Sequence, residues 1–155
     1  RDLRMSRGLG DVYKRQILPW AEKQFSKNIL FTQRARNSLR KFDGKPDCAI
    51  ICDGILYLDA YARFRQGSLD SETFALYSER YCWNITFCGA EALRVYNHDY
   101  LAQTADGKKY LLNMHIKYGV KVQELVRIYF CWDDALQKVI LGYLPDHLPT
   151  LKDPT

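Results

Sequence analysis

The chain has 155 residues and a formal charge of +5, with 47% hydrophobic and 14% aromatic residues. That length fits one domain, and the apolar content excludes disorder over most of the chain. No run approaches the ~18 apolar residues of a membrane span, and five cysteines are too few, and odd in number, for a disulfide-stapled miniprotein.

Residues 6–16 read SRGLGDVYKRQ. All eleven positions resemble the translation of a transposase-type sequencing adapter; Arg1-Asp2 continues the match and Leu3 to Met5 falls where a sample barcode would lie. The resemblance implies that residues 1–16 are non-native and that the natural N-terminus is lost. They hold five Lys/Arg and two Asp/Glu, so the remaining 139 residues carry only +2. A basic isoelectric point therefore cannot by itself support nucleic-acid binding. The expected organisation is a single α+β domain over 17–148 and a tail over 149–155. Free thiols favour a reducing, cytoplasmic setting.

Pro19 suits the first turn of a helix. Thr32 suits an N-cap, with Ala35, Leu39 and Phe42 following at helical spacing and Asp43-Gly44 ending the element. Arg34, Arg36, Arg40 and Lys41 then spread over the exposed side. The stretch 17–45 carries a net +5 while 46–155 carries −3. This helix is a candidate nucleic-acid-binding surface, or one for an acidic protein partner.

Cys48–Cys52, Asp53-Gly54 and Ile55–Asp59 predict a hairpin with a type I′ turn, pairing Cys52 with Ile55 and Ile50 with Tyr57. Tyr61 to Gln66 predicts a short helix closed by Gly67. Asp70 caps a second helix, with Leu69 stapled onto Phe74 and an apolar series Phe74, Tyr77, Tyr81. Glu72 and Glu79 with only Arg80 make it a packing helix rather than a DNA-reading one.

Asn84–Cys88 predicts a strand. Tyr100–Ala105 and Lys108–Asn113 predict a second hairpin about Asp106-Gly107, which in that register sets His98 against His115. Leu125–Trp132 and Lys138–Leu144 predict a third, stopped by Pro145. The class is α+β: N-terminal helices, then a mostly antiparallel sheet built from hairpins.

Metal and cofactor chemistry has no support. The His98–His115 pair lacks further ligands, and Cys48-x3-Cys52 and Cys82-x5-Cys88 do not have zinc spacing. There is no phosphate-binding loop, dinucleotide fingerprint, nucleophile elbow or His-Glu-x-x-His.

Residues 115–147 read HIKYGVKVQELVRIYFCWDDALQKVILGYLPDH. The order is a basic approach, a strand with Arg127, an acidic turn, a strand ending Gly-Tyr and a late histidine. This resembles the closing strands of the RelE-type bacterial ribonuclease toxins. The resemblance implies an RNA-directed function, with His147 as general acid or base, Arg127 as phosphate-stabilising cation and Tyr143 as a stacking or proton-relay group; Lys117 is a further candidate for the same site. The chain departs from that pattern in its mildly acidic C-terminal half and in the extra segments at 48–59 and 100–113. The alternative is a non-catalytic protein- or nucleic-acid-binding module using the basic helix 32–42.

Overall fold

The structure, a computed structural model, describes residues 14–44, 47–119 and 125–154. Its helices are Ile17–Phe25 (α1), Gln33–Lys41 (α2), Cys48–Arg65 (α3), Ser71–Tyr81 (α4) and Ala90–Val95 (α5). Its strands are Ile29–Phe31 (β1), Asn84–Phe87 (β2), Leu101–Gln103 (β3), Lys109–Leu111 (β4), Met114–Tyr118 (β5), Val126–Asp133 (β6) and Lys138–Tyr143 (β7). Of the adapter-like segment, residues 1–13 lie outside the described residues, and Lys14–Gln16 form a 3-10 turn leading into α1.

Five strands form one sheet in the order β1-β7-β6-β5-β2, and β3-β4 form a separate two-stranded ribbon. Every pairing in the large sheet is antiparallel except β1 with β7. The class is α+β, as the sequence predicts. The strand β1 escapes sequence reading because three residues are too few for an alternation to show.

Period-two alternation divides the sheet into two working faces. Met114, Ile116, Val126, Ile128, Phe130, Val139 and Leu141 pack in the main core with α1, α2 and α3. Tyr129, Cys131 and Ile140 point the other way, under the β3-β4 ribbon, α5 and the segment around Leu148.

The hairpin expected over 48–59 is instead part of α3, an 18-residue helix that also absorbs the short helix expected from Tyr61. Asp47 caps it, accepting from the Ala49 N–H at 2.9 Å. An apolar run hydrophobic on both faces fits a buried helix as well as a buried strand. Here the sides of α3 from Gly54 to Ala62 are buried. Gly54, expected in a turn, is where the helix meets the sheet. A Cβ there would lie 2.6 Å from Ile128 Cδ1 and 3.1 Å from Trp83 Cζ2. Close approach offsets the roughly 1 kcal/mol that glycine costs inside a helix.

The 100–113 hairpin exists with its register moved by one. Leu101 pairs with Leu111, and the Thr104 N–H donates to the Lys108 carbonyl at 3.0 Å across a three-residue loop. Gly107 takes a φ of +88° in that loop. One extra loop residue undoes the expected His98–His115 pairing: His98 lies in a 3-10 turn and His115 pairs with Thr86 and Tyr129.

Thr32 caps α2 as expected, its Oγ1 accepting from the Ala35 N–H at 3.1 Å. Asp70 caps α4 by accepting from the Thr73 N–H at 2.7 Å, and Gly67 follows α3 with a φ of +84°. The β6-β7 hairpin forms as expected, closing at Asp133 opposite Lys138.

Candidate functional site

The outer face of the sheet is covered at one end by the ribbon and left open at the other. A cavity of about 750 Å³ opens there, lined by Arg127, Tyr143 and His147 together with His115, Tyr129 and Asp153. Strand alternation aims Arg127 and Tyr129 from β6 and His115 from β5 into it. Lys117 lies directly across from Arg127 in the register, exposed on β5 beside the cavity.

Tyr143 reaches the same face through a bulge. Cys131 pairs with Ile140 and Phe130 with Leu141, but Tyr129 pairs with Tyr143, leaving Gly142 as the extra residue. Without that insertion, alternation would turn residue 143 toward the helices. Gly142 packs against the Leu112 side chain so closely that a Cβ would lie 2.3 Å from Leu112 Cδ2. The Thr32 hydroxyl donates to the Gly142 carbonyl at 3.3 Å, tying the start of α2 to the bulge.

Rings form the floor. Tyr129 sits 5.2 Å from His115, 5.9 Å from Tyr100 and 6.5 Å from Tyr143, between ring centres. Burial pushes the Tyr129 phenol up to about 12, so it stays protonated at neutral pH. It accepts from the Leu148 N–H at 2.9 Å. Tyr143 is also raised, first by burial and then by Asp146, while Arg34 opposes the shift.

Cys88 Sγ lies 3.5 Å from His115 Nδ1 and 3.5 Å from the Leu112 carbonyl. Burial drives the thiol up to about 12 and the imidazole down to about 4, the latter helped by Arg127 and Lys117. At neutral pH the two groups are an uncharged pair. His147 is placed differently: Nδ1 faces the Leu148 carbonyl at 3.1 Å and Nε2 lies 3.0 Å from Asp153 Oδ2. Among the described residues no cluster of three or more His, Cys, Asp or Glu is placed to hold a metal.

The three residues singled out in the C-terminal ribbon thus share one cavity, with Lys117 at its margin. Sequence reasoning missed Asp153, which looked like tail, and the Cys88–His115 contact, which no sequence spacing signals. The basic helix residues divide. The Arg34 Nη1 donates to the Asp99 and Leu101 carbonyls at 2.5 and 3.1 Å, and the guanidinium covers the Tyr143 ring at 4.5 Å. Arg36 is paired with Glu22. Arg40 and Lys41 are exposed, Arg40 donating to Asn37 Oδ1 at 3.3 Å. A second cavity of about 470 Å³, with Lys41 on its wall, shares Tyr143 and Asp146 with the first.

The chain matches no family model, no curated protein and no solved structure. No helix among the described residues is long and apolar enough to cross a membrane.

Proposed function

We propose that this cavity binds and cleaves RNA, in the manner of a bacterial toxin-type ribonuclease working in the cytoplasm. The observation that carries the reading is the meeting of a guanidinium, a phenol and an imidazole on one wall system. Arg127, Tyr143 and His147 come from separate elements and line the same 750 Å³ space. The resemblance of residues 115–147 to the closing strands of RelE-type toxins supports the same assignment.

The chemistry needs no cofactor. The 2′-hydroxyl loses its proton to a base and its oxygen attacks phosphorus. The bond from phosphorus to the 5′-oxygen breaks, and that oxygen takes a proton from an acid, leaving a cyclic phosphate. Arg127 faces the negative charge that grows on the non-bridging oxygens. His147 transfers a proton, Tyr143 presents its ring to a base and its phenol to a proton, and Lys117 adds charge at the rim. His115 is the poorer proton carrier, because its neutral form is held down to about pH 4.

Substitution of Arg127 and His147 by alanine, singly and together, tests the reading on single-stranded RNA. The expected loss is 100-fold or more for the pair, on the order of what general acid–base catalysis contributes. Unchanged cleavage, or none by the parent chain, overturns it.

A second reading has its own observation. The exposed Arg40 and Lys41 close α2, and Lys41 lines the neighbouring cavity that shares Tyr143. A binding module would use that end of α2 against an acidic partner or a nucleic acid. Its affinity would then fall with salt, and Arg40→Ala with Lys41→Ala would flatten the salt slope.

A further inference from the structure

The segment after β7 lines the cavity with Asp146, His147, Thr150 and Asp153. Its first part is firmly held. Leu148 is 3% exposed, its N–H donates to the Tyr129 hydroxyl, and the Tyr100 hydroxyl donates to the Pro149 carbonyl, each at 2.9 Å. The next part closes on itself. The Thr150 N–H donates to the Asp153 carbonyl at 2.7 Å, and the Asp153 N–H returns to Thr150 Oγ1 at 3.0 Å. This turn presents the Asp153 carboxylate to His147 Nε2 at 3.0 Å, with the two side chains 52% and 32% exposed.

The charges around the cavity show what that carboxylate does. The charged side chains lining it are Arg127, Asp146 and Asp153, beside the imidazoles of His115 and His147. On the lining itself two carboxylates face one guanidinium, with Lys117 as a second cation at the rim. Remove Asp153 and the wall is balanced, with a free imidazole edge beside Arg127's cavity. A carboxylate and a phosphate oxygen make the same hydrogen bond to an imidazole N–H.

We propose that the Asp153 carboxylate occupies the seat of an anionic ligand, a phosphate or phosphodiester oxygen, and that the 150–153 turn is an autoinhibitory strap which such a ligand displaces. The proposal rests on the assignment of this cavity to phosphodiester chemistry and adds its regulation. The hinge is Pro149–Thr150, between the anchored part and the self-closed turn. A partly exposed imidazole–carboxylate contact is weak, so the strap opens on binding and does not lock the site.

The test measures inorganic phosphate binding to the full chain, by calorimetry and by the chemical shift of the His147 ring. The variants are Asp153→Asn, which keeps the backbone turn, and Thr150→Ala, which loosens it. Each is expected to bind phosphate about three- to fivefold tighter than the parent, the factor an exposed polar contact of this kind can withhold. The gain is expected to vanish in Asp153→Asn with Arg127→Ala. In the parent, phosphate is expected to shift the Asp153 amide as well as His147. Equal or weaker binding by both variants, or no binding by any chain, overturns the proposal. Tighter phosphate binding without RNA cleavage leaves the strap standing and removes the ribonuclease assignment. Cleavage that falls in Asp153→Asn does the reverse, since Asp153 would then be orienting His147.

Discussion

At the scale of single residues, burial decides protonation. His115 is surrounded by Cys88, Tyr129 and the cations Arg127 and Lys117, so its folded form resists the proton down to about pH 4, against an ordinary 6.5. The unfolded chain takes that proton as pH falls through 6.5, and the folded chain does not. Stability is therefore full above about pH 6.5 and declines between 6.5 and 4. Urea unfolding at pH 7 and pH 5 should show the decline, and His115→Gln should reduce it. An NMR titration placing the His115 midpoint near 6.5 would contradict the assignment. The histidine was visible in the sequence, but its neighbours were not. Cys88 precedes it by 27 residues, and only the β2-β5 pairing brings them together.

At the scale of elements, chemistry acting over a few residues is legible and geometry acting over many is not. Thr32, Asp70 and Gly67 do what their types suggest, because capping depends on the next turn of backbone alone. Thr32 carries more than its cap, since it also bonds the Gly142 carbonyl in the bulge. Thr32→Ala should lower stability by about 1–2 kcal/mol, read from denaturant midpoints at unchanged slope. The Tyr143 fluorescence environment should change with it; Thr32→Ser should recover most of the loss. The segment 48–59 is the counter-case. Asp53-Gly54 between apolar runs is a strong hairpin signal. The same residues carry Ile51, Ile55 and Leu58 at helical spacing, and all three are fully buried in α3. Contacts with Trp83 and Ile128, far along the chain, chose between the two periods.

At the scale of the molecule, the sheet is a wall with two sides, the outer one covered by the β3-β4 ribbon, α5 and the segment around Leu148. Asp133 anchors that layer: Tyr110 donates to it at 2.5 Å, Lys108 at 3.1 Å and the Leu136 N–H at 3.0 Å. These hydrogen bonds, the Tyr110 one foremost, hold its carboxyl at about 2 against an ordinary 3.8. The stabilisation is complete above about pH 4 and is lost as pH falls toward 2, amounting to about 2 kcal/mol. Acid unfolding of Asp133→Asn should lack that component. Because the β3-β4 ribbon supplies Ala102 to the cluster beneath the cavity, with Tyr100 and Leu112 flanking its two strands, its detachment should open the candidate site before the main core unfolds. Hydrogen exchange at pH 3 should show ribbon amides exchanging ahead of those in β6.

The sequence by itself determined the α+β class, the Thr32 and Asp70 caps and the β6-β7 hairpin. Each depends on side-chain pattern within one turn, one hairpin or one composition. The tertiary structure alone decided that 48–65 is one helix, that the 100–113 ribbon is shifted by a residue, and that a bulge at Gly142 sends Tyr143 to the outer face. It also decided that Asp153 meets His147. Those outcomes turn on which distant surfaces bury one another, and burial is a property of the assembled chain rather than of any window along it.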